Sequence, residues 1–443
     1  MAACAAALTL LLALPAGAEV VAASGSPSRW TPADYVRASL ALSPEAVSAE
    51  ASRDGAAARA KAKWARAFAP ALSFTARATP AKLGPRGLFR FDAWRAGAND
   101  LSLTPGVSWN LFNSFQDLLS ARSAELSREM AADSLEAALQ TEALDALRAY
   151  WGLFLRERVV EVSRQNLAIQ VEQYDLTQDR YKHGMKSLSD LLKTETDWRS
   201  AELRVEGDEA SRRLALFRFN ISVGSDEGAP AALDADLTLG TTQPPLLDAG
   251  LRQASERRPE LVRARRELAQ AETSDRLAKI AAGPTLALDF DGSHAWNGDY
   301  GKASLPFGAG TSVYGFALKL ALPGSFNLYS QVQDVRASAT DLRRARQTLE
   351  AQRRAVREEV YQSHIELSRA LRSHEIASRK EDISRQNLEL VKQEYSEGSA
   401  DVIRLSQAQS DFVNAQVERM QALHDVKINT ARWKRAVGEP IWR

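Results

Sequence analysis

The chain has 443 residues, 45% of them hydrophobic and 26% charged, a balance that excludes a disordered tail protein and a polytopic helical membrane protein. Lys plus Arg number 57 against 56 Asp plus Glu, so no clustered positive charge points to nucleic acid and no such partner is expected. The single cysteine, Cys4, falls in the first segment below, so a processed chain would hold no disulfide, cysteine-ligated zinc or cysteine nucleophile.

From Ala5 to Leu14 the sequence is uninterrupted Ala, Leu and Thr, followed by Pro15 and Ala16-Gly17-Ala18. An apolar run ending in small residues reads as an export signal over residues 1–18, although no Lys or Arg precedes it. The run is too short for a membrane span of about 20 residues, and no later stretch is long and apolar enough either. If this chain crosses a membrane, it does not do so by helices.

A short helix is expected from Glu45 to Ala69, then strands at Ala71–Thr79 and Leu101–Asn110, where apolar and polar residues alternate with a period of two. No proline occurs between Pro105 and Pro230, and Ala, Leu, Glu, Gln and Arg dominate. This predicts a long helix from Ser114 to His183 and a return helix from Lys186 to Val223. Its stripe of Leu135, Leu139, Ala143, Leu147, Tyr150 and Phe154 is of coiled-coil type. Two further strands are expected at Pro284–Asp291 and Thr311–Leu322, with Asn297 in an outer loop between them. In the last strand Tyr314, Phe316, Leu318 and Leu320 form one large apolar face, the pattern of an outer-membrane barrel strand facing lipid; a soluble sandwich strand alternates in the same way. A second proline-free tract, from Pro323 to Pro440, predicts another long helical hairpin.

The order is duplicated. Ser43-Pro44-Glu45 is matched by Arg258-Pro259-Glu260, Ala69-Pro70-Ala71-Leu72 by Gly283-Pro284-Thr285-Leu286, and Ser163-Arg164-Gln165-Asn166-Leu167 by Ser384-Arg385-Gln386-Asn387-Leu388, at offsets of 214 to 221 residues. Tyr181-Lys182-His183-Gly184 then matches Tyr395-Ser396-Glu397-Gly398 at 214, which reads as a seven-residue extension of the first copy, one heptad. The expected division is a first repeat at 19–222, a linker at 223–255 and a second repeat at 256–443. Each repeat runs helix, strand, strand, long helix, return helix. The fold class is mainly α with a β-barrel part. The long helix would measure ~105 Å, and the short and return helices stacked against it ~95 Å. Four strands cannot close a barrel, the smallest having about eight, so other subunits must complete it; three chains would supply twelve.

The repeat order, the turns Tyr181-x-x-Gly184-x-x-Ser187-x-x-Asp190 and Tyr395-x-x-Gly398-x-x-Asp401, the run Ser108-Trp109-Asn110-Leu111-Phe112-Asn113, and Asn166-Leu167 with Asn387-Leu388 together resemble the TolC-like outer-membrane efflux family. The resemblance covers roughly residues 31–439. It implies a homotrimer in outer-membrane lipid, with a twelve-stranded barrel and a helical tunnel holding most of the mass in the periplasm. It also implies a periplasmic adaptor and an inner-membrane pump as partners. In that family the two helical turns latch the periplasmic mouth, and the matching residues are Tyr395 and Asp190, with Ala400 where a latch arginine stands in other members. Family aspartate rings fall at Arg404 and Gln407. Gly184 and Gly398 suit tight reversals, since glycine tolerates left-handed backbone angles. Tyr395 packed in the helical seam, with Asp190 and Arg404 as solvated charges, stays open beside the latch.

No catalytic residue, cofactor or metal is expected. His183, His294, His364, His374 and His424 lack partners at metal-ligand spacing, and no phosphate loop or nucleophile elbow occurs. An enzyme is therefore the weakest reading. The alternative to an exit duct is a periplasmic coiled-coil adaptor or scaffold without a barrel, which leaves the Tyr314 to Leu320 face unexplained.

Overall fold

A computed structural model describes residues 29–79, 99–234, 243–298, 310–321, 328–397 and 399–442. The expected export signal at 1–18 and Gly398 lie outside them. The described elements are α1 (Pro32–Leu42), α2 (Pro44–Phe68), β1 (Ala71–Thr79), β2 (Asn99–Asn113), α3 (Gln116–Lys182) and α4 (Leu188–Ser222). There follow α5 (Leu247–Arg257), α6 (Pro259–Ile280), β3 (Thr285–Gly298), β4 (Gly310–Ala321), α7 (Leu328–Ser396) and α8 (Val402–Val437).

Each half opens with two short helices rather than the one expected. Ser43 ends α1 by donating its N–H to Ser39 O and starts α2 by accepting from Ala46 N, and Pro44 then fixes the first helical φ. In the second half Arg258 and Pro259 make the same corner, with the Arg258 side chain buried. It donates to Arg435 O at 2.8 Å and pairs with Glu260 and Glu359. Helix α5 accordingly starts inside the segment read as linker, 223–255, and runs two residues past it, in the place that α1 holds in the first half.

The two long helices have 67 and 69 residues, ~100 Å each. The first copy is thus not the longer one. A heptad repeat lets the same five-residue motif sit one heptad farther from the tip without leaving the apolar seam. Helices α2 and α4 both pack along α3, and α3 also packs on α6 and α8, which in turn pack on α7. The lateral order is therefore α2 and α4, then α3, then α6 and α8, then α7.

The sheet is antiparallel in the order β1-β2-β3-β4, so the central β2–β3 pair joins the two halves. Strands β2 and β3 are longer than expected. Asn297 is paired with Asp100 inside β3, not in a loop. Gly292 lies beyond the expected strand end at Asp291, yet it stands opposite Tyr314, whose ring takes the space a side chain would fill.

Midway along α3 an aromatic core grips the rod. Tyr35 and Phe219 stack at 4.1 Å, and Trp30, Tyr150, Trp151 and Phe154 pack around them. Tyr150 Oη donates to Trp30 O at 3.0 Å, and Tyr35 Oη reaches Phe219 O at 3.3 Å and the Ser222 hydroxyl. Burial pushes the Tyr35 phenol up to about 12, against the lowering effect of Ser222. The backbone of Trp30 bridges Leu233, which ties the residues before α1 to those after α4. Phe219→Ala is expected to cost about 3–5 kcal/mol. Tyr35→Phe, which keeps the ring, should cost about 1 kcal/mol. Thermal unfolding followed by circular dichroism should rank them in that order.

Candidate functional site

Two regions carry the expected functional residues: the sheet and the two helical tips. Directly paired residues on neighbouring strands share a face. One row reads Leu72, Val107, Phe290, Phe316 across all four strands. The next rows read Trp109, Leu288, Leu318 and Phe112, Leu286, Leu320. The four residues expected to face lipid, Tyr314, Phe316, Leu318 and Leu320, thus belong to an apolar face spanning the whole sheet. Leu72 and Phe316 are 81% and 79% exposed. The opposite face reads Ser73, Gly106, Asp291, Gly315 and, one row on, Ser108, Asp289, Ala317. There Ser108 Oγ donates to Asp289 at 2.6 Å. A sandwich strand would bury its large residues, whereas here the apolar face is open and the small, polar face lies behind it.

The sequence pattern singled out only β4. Trp109 and Phe112 were not recognised as sharing a face because a bulge at Leu111 shifts the register between Asn110 and Phe112 and breaks the period of two. Beyond the bulge, Ser114 and Phe115 adopt left-handed φ of 54° and 65° and turn the strand into α3. At this end of the sheet the Trp109 indole donates to Phe68 O at 3.1 Å, Trp64 stacks on Phe68, and Phe112 meets Phe115 edge-on. These exposed aromatics close the apolar band at the end where the strands meet the helices.

At the first tip, Gly184 has φ 71°, Gly184 N donates to Tyr181 O and Met185 N to Arg180 O. Ser187 then caps α4: its hydroxyl accepts from Asp190 N at 3.1 Å, and the Asp190 carboxylate accepts from Ser187 N at 3.3 Å. At the second tip Asp401 caps α8 by accepting from Arg404 N at 2.8 Å. The Arg404 guanidinium reaches back to Glu394 at 3.0 Å, tying the start of α8 to the end of α7. The same helical position is thus an acid completing a capping box in one repeat and a cation bridging the hairpin in the other.

Among the described residues Tyr395 and Asp190 share no hydrogen bond within the chain. The Tyr395 ring instead packs on the Leu388, Val391, Leu405 and Ala408 cluster. Two cations of the first tip lie over it, Lys186 Nζ at 5.4 Å and the Arg180 guanidinium at 5.8 Å from its centre. Further from the tips Gln170 donates to Gln409 at 3.2 Å and Ser406 to Asp197 at 2.9 Å, so the two hairpins are held together by polar bonds as well. Sequence reasoning missed Arg180 and Lys186, since nothing in their spacing marks them as neighbours of a residue in the other repeat. No group of His, Cys, Asp and Glu fit to hold a metal ion is found among the described residues, nor any helix long and apolar enough to cross a membrane.

A family profile described as outer membrane efflux protein matches residues 36–224 and 250–439. Protein CyaE of Bordetella pertussis is 23% identical over 334 residues, spanning 75% of this chain and 69% of that protein. Among solved structures, the CmeC outer membrane channel of Campylobacter jejuni superimposes with a TM-score of 0.79 at 15% identity, covering 97% of this chain and 94% of that one. The outer membrane protein VceC of Vibrio cholerae gives 0.77 at 16% identity, covering 92% and 96%.

Cation–π contacts at exposed sites contribute about 0.5–1 kcal/mol each. Tyr395→Leu keeps an apolar side chain in the cluster but removes both. Amide exchange across residues 181–187 is therefore expected to quicken about five-fold by mass spectrometry, with exchange around Tyr150 unchanged.

Proposed function

This chain belongs to the outer membrane efflux protein family, and from that premise we propose that it is the exit duct of a tripartite efflux or secretion system, conducting cargo passively from an inner-membrane pump through a periplasmic adaptor to the outside. The family consists of transport channels, and an enzymatic role has no support. The observation that carries the proposal is that the protomer is open at both lateral edges while one whole face of its sheet is apolar and exposed.

Among the described residues strands β1 and β4 each pair on one side only. The helices follow the same plan. On the outer helix α7, Tyr361, Ile365, Ile376, Ile383 and Leu390 are exposed at steps of four, eleven, seven and seven residues, which return to one side of a helix. On α4, at the other edge, Leu192, Leu203, Leu214 and Ile221 are exposed at steps of eleven, eleven and seven. Two different apolar stripes on opposite edges suit a head-to-tail contact that closes into a ring. In the proposal three copies close a twelve-stranded barrel in the outer membrane, and their helices form a coiled-coil tunnel in the periplasm. The repeats at 19–222 and 256–443 each contribute one hairpin around the 223–255 connection, behind a signal at 1–18. The tips around Ser187, Asp190, Asp401 and Arg404, farthest from the sheet, would receive the adaptor and gate the mouth. Between copies, Asp190 and Tyr395 remain available for the latch that they do not form within one chain.

A scaffold without a barrel would leave the face from Leu72 to Leu320 in water. Membrane fractionation is the direct test: a heat-modifiable outer-membrane oligomer is expected, and recovery in the soluble periplasm would sink the proposal. In that oligomer, Leu318→Arg should cost ~2–4 kcal/mol near the bilayer midplane while Ala317→Arg is mild. Comparable assembly of the two variants would put the lipid face on the wrong side. Ile383→Asp and Leu203→Asp, on opposite edges, should each shift the trimer toward monomer in native mass spectrometry.

A further inference from the structure

Between α5, α6 and α7, at the end of α6 away from the sheet, lies a groove of about 500 Å³ that the exit-duct proposal does not use. Its floor is hydrocarbon: Ala254, Leu261 and Val356 are buried members of one core cluster, and Leu251 packs against them. Its rim is cationic, with Arg252 from α5, Arg265 from α6, and Arg353 and Arg357 from α7; among the described residues no carboxylate lines it. The charge on that rim is little neutralised. Arg353 pairs with Glu350, one turn away on its own helix. Arg265 donates to Ser255 O at 2.6 Å and Arg252 to Asp248 O at 3.3 Å, which uses a donor of each and leaves the charge. Arg357 has no ion pair among the described residues.

Four guanidinium groups around one opening repel one another, and an apolar floor gains from being covered. An inorganic anion would answer the rim and leave the floor wet, and a neutral hydrocarbon would do the reverse. A molecule with one charged oxygen-bearing end and one hydrocarbon chain answers both, because guanidinium forks bind carboxylate or phosphate in two-pronged fashion. The volume lies within the ~300–1,000 Å³ of small-molecule sites.

We propose that this groove binds a single-chain anionic amphiphile, a fatty carboxylate or a lysophospholipid phosphate, with its charged end held by Arg265, Arg353 and Arg357 and its hydrocarbon laid over Ala254, Leu261 and Val356. The inference goes beyond the exit-duct reading and does not depend on it, since binding is measured on the purified full-length chain whether or not it conducts.

Four probes in a neutral detergent test it by titration calorimetry and native mass spectrometry: dodecanoate, lauroyl lysophosphatidate, dodecanol and inorganic phosphate. Saturable binding of one amphiphile per chain is expected for the first or the second, and their relative strength tells carboxylate from phosphate. Dodecanol and phosphate should bind at least about ten-fold more weakly. The exposed double substitution R353Q with R357Q, which touches no core residue, should weaken the bound probe about ten-fold or more and flatten its salt dependence. Equal binding by dodecanol, unsaturable uptake, or unchanged binding by the double variant would overturn the proposal. So would failure of both amphiphiles, and a changed oligomeric state of the double variant would then assign the groove to a neighbouring copy of the chain.

Discussion

Unpaired backbone groups on two outer strands govern this molecule. Among the described residues strand β1 has a partner only in β2, and β4 only in β3. In hydrocarbon each unsatisfied N–H or C=O costs several kcal/mol, so an apolar sheet with open edges is stable in lipid only when another sheet edge completes it. The helices below obey the same geometry, because α4 and α7 stand at the margins of the helical layer with apolar stripes exposed. In the proposed assembly one constraint dictates both the barrel and the rod: the chain would be a sector, and the closed object the oligomer.

Within the sector the two repeats reach one shape by different side-chain means. The corner between the short helices is capped by the Ser43 hydroxyl in one half and braced by the buried Arg258 guanidinium in the other. The corresponding tip position is Asp190 in one and Arg404 in the other, so local hydrogen bonding is conserved in effect while charge is not. The differences place a cation pair, Arg180 and Lys186, against the ring of Tyr395, and make the contact between hairpins one of unlike partners.

Much of the plan is legible in the sequence because its signals are periodic. Proline-free tracts marked both hairpins, and alternation located all four strands. What escaped was set by neighbours distant in sequence. Helices α1 and α5 have 11 residues each and end at Ser43-Pro44 and Arg258-Pro259, too short for a periodic signal to stand out. Strand β3 continues through Gly292 because Tyr314 fills the gap from across the sheet. The full apolar face was hidden by the bulge at Leu111, after which Phe112 falls on the side that simple alternation denies it. At the tips the glycine at 184 was legible, while the environment of Tyr395 depends on the other repeat.

The aromatic grip around Tyr35, Tyr150 and Phe219 lies near the middle of α3, ~50 Å from either end. A long body held at its midpoint is a lever. A tilt of about 5° around that fulcrum would carry the tip ~4 Å, more than the reach of a hydrogen bond, while residues beside the fulcrum hardly shift. The position of six aromatic rings therefore sets a lever arm of ~50 Å, over which a small tilt at the core would become a displacement at the tip.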